Sequence, residues 1–258
     1  MIKKQRLGII QSRGVGDIVI ALPIARHYAD QGYDIYWPIC DQFIDNFKDH
    51  VPWVKWIPLP VDAQGDFFYN EPLKRLKNFK CDEIICLYQA LSTHPEFSQA
   101  PWFQIQHFDE YKYTRAQVPF REKWNLSNCL VRNMNKEQVL KRQLVTEGTP
   151  YYVTHLVGSD FTATPDLSAI PPEWQRVDIQ VGITASIFDW ITLIEGAEAV
   201  ICVDSCVACM IDQLDIKVEE KYWIPRSHIH LTPVLGTVWT VLEAPENSKA
   251  AQRIFGTG

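Results

Sequence analysis

Asp17 is a carboxylate placed directly behind a glycine-spaced turn, in the run Leu7-Gly8-Ile9-Ile10-Gln11-Ser12-Arg13-Gly14-Val15-Gly16-Asp17-Ile18-Val19-Ile20-Ala21-Leu22-Pro23. The apolar stretch Leu7 to Ile10 reads as a buried parallel strand. After the turn, Ile18, Ile20, Ala21, Leu22, Ile24 and Ala25 follow the spacing of a helix. A strand, a tight turn and a helix N-terminus expose backbone N–H groups that favour anions. A carboxylate fixed there, at the C-terminal edge of a parallel sheet, is well placed to act as a general base. The same residue in the same place also suits a plain helix cap.

A second strand–turn–helix constellation lies in Ile201-Cys202-Val203-Asp204-Ser205-Cys206-Val207-Ala208-Cys209. Its hydroxyl and N–H groups suit a phosphate, and Asp204-Ser205 equally suits an ordinary N-cap pair. Thr154-His155-Leu156-Val157-Gly158-Ser159-Asp160 supplies hydroxyls and a glycine after another strand. Arg226, Ser227, His228 and His230 follow the last one, where they add positive charge or form a surface loop.

Between these constellations, Trp102, Phe103, His107, Phe108, Tyr111, Lys112, Tyr113, Arg115, Phe120, Arg121, Lys123 and Trp124 interleave aromatics with cations. Aromatic faces stack on bases or sugars and cations meet phosphates, so the segment reads as a surface for an anionic acceptor. The competing reading is a buried aromatic cluster with a solvated basic rim. Charge is uneven along the chain. Residues 111–142 hold eight Lys/Arg against two acids, while residues 143–258 hold six against fifteen, within a net charge of −6. That asymmetry suggests one lobe facing an anionic partner.

The elements that must position these groups alternate along the chain. Strands are expected at Leu7–Gln11, Asp34–Ile39, Val54–Pro58 and Glu83–Tyr88, with helices at Asp17–Gln31, Gln42–Lys48 and Pro72–Phe79. Gln89 to Asn125 has no clean period, and a helix at Lys136–Val145 leads out of this lobe. Strands then return at Tyr151–Leu156, Arg176–Gln180, Ala199–Val203 and Lys221–Ile224, with helices at Ser186–Ala197 and Val207–Leu214 and a further one expected within Val238–Phe255. Apolar strands alternating with helices imply an α/β fold of two Rossmann-like lobes with parallel sheets. The expected division is 1–145 for the first lobe and 146–258 for the second.

With 258 residues and 47% hydrophobic content the chain holds ample core, and no apolar run approaches a membrane span. A cytoplasmic protein is expected. Seven cysteines read as reduced core thiols, and Cys202, Cys206 and Cys209 lack the second pair that a zinc site needs. Gly14-Val15-Gly16-Asp17 lacks the third glycine of the dinucleotide fingerprint, and no acid follows the second strand suitably, which argues against an oxidoreductase.

Gly16-Asp17 followed by Leu22-Pro23 resembles the N-terminal signature of the ADP-heptose:lipopolysaccharide heptosyltransferase family. These are inverting glycosyltransferases of GT-B architecture, whose aspartate at the position of Asp17 is the catalytic base. The family carries Asp-(Thr/Ser)-Gly and then a histidine where this chain has Asp204-Ser205-Cys206 and Cys209, so two positions depart. The resemblance implies a glycosyltransferase with a nucleotide-sugar co-substrate and no other cofactor or metal. It further implies an acceptor-side lobe in 1–145 and a nucleotide-sugar-binding lobe in 146–258, with donor contacts from Gly158, Ser159, Asp204, Ser205 and Cys206. Beside these, Arg226 is read from the sequence as a further cation for a diphosphate. Acceptor contacts are expected from Arg13, Gly14, Gly16, Lys112, Arg115 and Trp124. The acceptor is read as a hydroxyl on an anionic molecule, taken first as a hydroxymethylated base in phage DNA, with a phosphorylated glycan such as lipopolysaccharide core as the alternative. A non-catalytic nucleotide-sugar-binding module is the alternative of another class.

Overall fold

The computed structural model describes residues 4–60, 66, 68–88, 107–158, 162–225 and 232–242. They fall into two units, Met1–Val131 and Arg132–Gly258. In the first, β1 (Arg6–Ile10), β2 (Asp34–Cys40), β3 (Val54–Leu59) and β4 (Glu83–Cys86) form a sheet in the order β3-β2-β1-β4. All three pairings are parallel. The chain therefore lays β2 and β3 on one side of β1 and then returns to place β4 on the other. The order thus reverses between β1 and β4, and the C-terminal ends of strands at such a reversal are the position at which open parallel sheets bind ligands. Helix α1 (Val15–Asp30) follows β1, with Ile18 to Ala25 buried. A single helical turn, α2 (Asp41–Ile44), stands where a longer amphipathic helix is expected, and α3 (Asn70–Asn78) precedes β4.

The aperiodic middle contains a helix that the sequence pattern does not announce, α4 (Phe108–Arg115), and two 3-10 turns, Phe120–Trp124 and Leu126–Cys129. Its buried face carries Asp109 and Lys112 beside Tyr111 and Tyr113, so no apolar period marks it. Hydrogen bonds dock it on α1: Tyr113 Oη donates to the Ile20 carbonyl at 2.9 Å, and Tyr28 Oη to the Ala116 carbonyl at 2.8 Å. Val131 N–H donates to the His50 carbonyl at 2.7 Å, so the first unit holds its chain to its last residue.

In the second unit β5 (Tyr151–His155), β6 (Gln175–Asp178), β7 (Ala199–Val203), β8 (Glu220–Ile224) and β9 (Thr240–Val241) form a second all-parallel sheet, in the order β6-β5-β7-β8-β9. Here the strand order reverses between β5 and β7. The expected helix at 186–197 is a 3-10 turn, Ile187–Trp190, running into α6 (Ile191–Glu195). α7 (Cys206–Gln213) follows β7. Of the tail in which a helix is expected, Val238–Phe255, the described part holds β9, and residues 243–258 lie outside those described. Buried Asp212 of α7 organises the approach to β9 by accepting hydrogen bonds from the Gly236 and Thr237 N–H groups and the Thr237 hydroxyl. Among the described residues no helix is long and apolar enough to cross a membrane.

The boundary at 131/132 assigns the helix α5 (Met134–Leu144), read from sequence as the exit from the first lobe, to the second unit. The cause is a buried carboxylate. Glu137 accepts from the Thr192 N–H at 3.1 Å, the Thr192 hydroxyl at 2.7 Å and the Arg132 guanidinium, which also bonds Glu195 at 2.6 Å. Burial alone raises the Glu137 carboxyl, but Arg132 and Thr192 outweigh it and hold the group below the ordinary carboxylate range. Its folded value thus lies under its unfolded one. The stabilisation is present above that unfolded value and is lost as pH falls through the folded one. Glu137→Ala is expected to destabilise the second unit by about 2–4 kcal/mol at neutral pH, read by urea unfolding, with the deficit shrinking in acid.

Candidate active site

The turn after β1 lies at the reversal of the first sheet, and side chains from both neighbouring strands hold it. Gln11 and Ser12 are buried. Gln11 Nε2 donates to the Arg13 carbonyl at 2.9 Å, which closes the turn, and Trp37 Nε1 donates to the Gln11 carbonyl at 2.9 Å. From beyond β4, the Tyr88 hydroxyl accepts from the Arg13 N–H at 2.9 Å and lies 3.2 Å from Ser12 Oγ. Burial pushes the Tyr88 phenol up to about 12, so it stays a neutral hydrogen-bonding group.

Gly14 has φ +80°, and a Cβ there would lie 2.5 Å from Asp17 Oδ2. Both facts require glycine: the backbone is left-handed, and the carboxylate curls back over its α-carbon. Helix α1 begins immediately, with the Ile18 N–H donating to the Gly14 carbonyl at 3.0 Å. Asp17 is thus the third helical residue, and no side chain caps the helix at Gly14. The dipole of α1 favours a carboxylate in the first turn, which also suits Asp17. Its Oδ1 accepts from Lys112 Nζ at 2.9 Å, with the aspartate side chain 38% exposed and the lysine 3%. Lys112 reaches this point from α4 through the interior. Its ammonium also donates to Gln11 Oε1 at 2.7 Å and to the Leu87 carbonyl at 3.3 Å. Three N–H donors thus meet three acceptors. A buried, fully bonded cation fixes one oxygen of a part-exposed carboxylate, and the second oxygen stays over the glycine turn.

The expected acceptor residues divide. Arg13 is exposed and packs over the Phe68 ring at 5.8 Å, and Gly14 and Gly16 are half-buried in the turn. Lys112 is no surface cation but the partner of Asp17. Arg115 and Trp124 are half-buried, and Trp124 packs against Lys123 at 5.2 Å. Lys123 itself is buried with Asp109 in a 2.7 Å ion pair, at 1% and 0% exposure. For residues 107–124 the aromatic–cationic pattern is therefore mainly interior, with Arg121 at its rim, 84% exposed. Trp102 and Phe103 lie outside the described residues. The basic excess of 111–142 is answered in part by carboxylates outside the segment: Asp17 for Lys112, Asp109 for Lys123, Glu195 for Arg132.

At the reversal of the second sheet, β5 ends in His155, and β7 ends in the turn Asp204-Ser205 that opens α7. His155 Nδ1 lies 2.9 Å from Ser205 Oγ, a hydrogen bond between the two strand ends. Burial lowers His155 to about 4, so its imidazole is neutral at ordinary pH. Ser205 occupies the N-cap position of α7 without a side-chain cap bond, since its hydroxyl turns to His155. Asp204 is buried, with its N–H donating to the Ile224 carbonyl at 2.9 Å. Gly158 and Cys206 are half-buried. Ser159 and Arg226 lie outside the described residues. Gln11, Ser12, Tyr88 and His155 were not singled out from sequence. Their signal is only topological, since each stands at a strand end beside a reversal. Among the described residues no group of three or more His, Cys, Asp or Glu is arranged to hold a metal ion.

No family model matches the chain, and no curated protein matches it. Its fold does recur in solved structures. E. coli heptosyltransferase WaaC with ADP aligns at TM-score 0.52 and 15% identity over 97% of this chain and 99% of that one. A glycosyl transferase family 9 protein from Veillonella parvula aligns at TM-score 0.54 and 11% identity, over 98% and 89%. E. coli ADP-heptose lps heptosyltransferase II aligns at TM-score 0.52 and 12% identity, over 92% and 90%. The chain has the α/β, GT-B-like fold of these glycosyltransferases.

Two stability measurements probe the site's buried charges. Lys123→Met strands the fully buried Asp109 and is expected to cost about 3–5 kcal/mol. Lys112→Met leaves an Asp17 that water reaches and is expected to cost less, about 1–3 kcal/mol, in the same urea titration. For His155, whose folded value lies below the usual 6.5, the unfolded chain binds the extra proton between pH 6.5 and about 4. Stability therefore rises with pH across that window, by about 2–3 kcal/mol in all. His155→Gln is expected to flatten that part of the slope in urea titrations run across the range.

Proposed function

We propose that this chain is a nucleotide-sugar-dependent glycosyltransferase that acts with inversion, Asp17 being the base. The observation that carries this reading is the Asp17 carboxylate, pinned by buried Lys112 at the strand-order reversal of a sheet whose fold is that of heptosyltransferases. An acceptor hydroxyl gives its proton to Asp17 as its oxygen attacks the anomeric carbon. The bond from that carbon to the diphosphate oxygen breaks on the opposite face, and the diphosphate leaves with the electron pair. Lys112 is a positioning residue: it touches Asp17 and fixes its orientation.

The donor is assigned to the second unit. Charge growing on the leaving diphosphate is met by N–H groups of the first turn of α7, by Ser205 and by the turn that includes Gly158 and Ser159, with Arg226 a further cation. Asp204 holds the turn and Cys206 opens the helix. With those groups in that role, transfer is expected without a metal or other cofactor. ADP is the nucleotide of first choice, since the WaaC structure carries it.

For the acceptor, a hydroxyl on a phosphorylated glycan is the better-supported class. The heptosyltransferase II relative is described as acting on lps, and exposed Arg13 sits beside the proposed base. The cations of the middle segment suit either acceptor, and two of them, Lys112 and Lys123, are committed to carboxylates within the protein, so they do not favour a hydroxymethylated DNA base.

The test is a panel of ADP-, UDP-, GDP- and CMP-sugars, incubated with phosphorylated lipopolysaccharide core or with hydroxymethylated DNA and read by mass spectrometry. One donor is expected to give a glycosylated core. Asp17→Asn should lower kcat by about 10²–10⁴-fold while leaving donor binding intact. A sugar added to DNA would reverse the acceptor assignment. Neither turnover nor binding of any nucleotide sugar would sink the transferase reading as a whole.

A further inference from the structure

The two positions at which the second constellation departs from its resemblance are both cysteines, Cys206 and Cys209, in a Cys-Val-Ala-Cys sequence that opens α7. We propose that Cys206 and Cys209 form a redox-active dithiol, which closes to a disulfide by exchange with a low-molecular-weight disulfide and so controls the turn that carries Ser205.

Geometry permits the bond. Residues three apart on an α-helix have Cα atoms about 5 Å apart and side chains on one face. That is inside the range of about 4.4–6.8 Å that disulfides span between Cα atoms. The Cβ atoms, about 5–6 Å apart on such a helix, must close to about 3.5–4.5 Å, so the first turn tightens as the bond forms. The helix is regular from its start, with the Cys209 N–H donating to the Ser205 carbonyl at 3.0 Å. Access is unequal in the way that exchange requires. Cys206 is half-buried and open to a small reagent, while Cys209 is 5% exposed and shielded from it. First-turn N–H groups favour a thiolate, and the Ser205 hydroxyl does not cap them because it is bonded to His155.

The other five cysteines lack this combination. Cys40, Cys86, Cys129 and Cys202 are buried. Burial pushes the Cys202 thiol up, and Cys202 lies in β7 rather than on the helix. Cys81, half-buried, is pushed up to about 11 by burial.

The chemistry balances with a disulfide RSSR as the oxidant. The Cys206 thiolate attacks one sulfur, the S–S bond breaks, and RS⁻ leaves and takes up the proton that Cys206 gave. Cys209 then loses its proton and attacks Cys206 Sγ, which displaces the second RS⁻, and that thiolate takes the second proton. Two protein thiols are oxidised and RSSR is reduced to two RSH. The new bond ties Cys206 down along the helix, directly after Asp204-Ser205. The consequence for a diphosphate at this turn rests on the transferase reading above; the disulfide itself does not.

The full-length protein would be incubated with oxidised glutathione or with dithiothreitol, alkylated, digested and mapped by mass spectrometry. The expected result is a peptide holding Cys206 and Cys209 that resists alkylation, is lighter by about 2 Da, and reverts with dithiothreitol. Cys209→Ser should trap glutathione on Cys206, Cys206→Ser should take up none, and Cys202→Ala should leave the internal bond intact. Full alkylation of both residues in wild-type protein after oxidation, or a bond joining Cys206 to Cys202, would overturn the proposal. ADP affinity is then compared by calorimetry for the two forms, with a loss of about 5- to 150-fold expected on oxidation. Equal affinity for ADP in both forms would overturn the control of the turn. A mapped disulfide with ADP bound by neither form would count against the donor reading and leave the dithiol chemistry standing.

Discussion

The ammonium of Lys112 is the interaction on which the first unit's site depends. A buried lysine must have each N–H bonded, or the cost of burying the charge is uncompensated. Here the three acceptors come from three places: the Gln11 side chain after β1, the Leu87 carbonyl after β4, and the Asp17 carboxylate on α1. The lysine itself comes from α4. One charged group therefore fixes the spacing of four segments at the reversal of the sheet. The rest of the turn follows from that constraint. Gln11 uses its other end to close on Arg13, Gly14 adopts a backbone open chiefly to glycine, and the Asp17 carboxylate fills the space where a side chain at 14 would have been.

The second unit repeats the device with different atoms. In both sheets the strand order reverses beside the strand that opens the sheet, and in both a side chain bridges the reversal. Tyr88, beyond β4, bonds the turn after β1; Ser205, beyond β7, bonds His155 at the end of β5. The C-terminal ends of parallel strands leave backbone groups and loop side chains that lack a sheet partner. A single hydroxyl shared across the gap partly satisfies them and keeps the strand ends at a fixed separation. In the first unit the bridge supports a carboxylate; in the second it holds a serine hydroxyl at the head of a helix. The chemical characters of the two edges differ because one exposes an anion and the other a helix N-terminus.

The strands and the first helix were legible in sequence because parallel strands buried on both faces are continuous apolar runs, and Val-Ile-Cys-Val or Leu-Gly-Ile-Ile admit few other readings. The place of Asp17 in the first turn of α1 was legible because glycine spacing and the onset of helical periodicity fixed where the turn had to be. The cations of the middle segment were not. Counting charge by segment treats carboxylates as local, whereas Lys112 is paired with a residue on α1. The same limit hid α4, whose inward face is half ionic and so has no apolar period. The 131/132 boundary was hidden because α5 is held by Glu137, a residue type that sequence patterns assign to solvent. Each miss concerns a charged residue buried with a distant partner, and only the assembled fold discloses such a pair.

His155 carries the same lesson into the chemistry of the second edge. The family resemblance places a histidine on the helix after Asp204-Ser205, and this chain has Cys209 there instead. Judged by position, the imidazole is missing. The neutral imidazole of His155 nevertheless stands 2.9 Å from the Ser205 hydroxyl, delivered from the neighbouring strand. Its presence alters what the serine can do. A hydroxyl that caps the helix would consume a first-turn N–H, whereas one bonded to His155 does not, and keeps its own oxygen at the strand end. Motif matching scores residues by their place along the chain. Hydrogen bonding depends only on where atoms meet, so a turn without a histidine on its own helix can still hold an imidazole from the neighbouring strand.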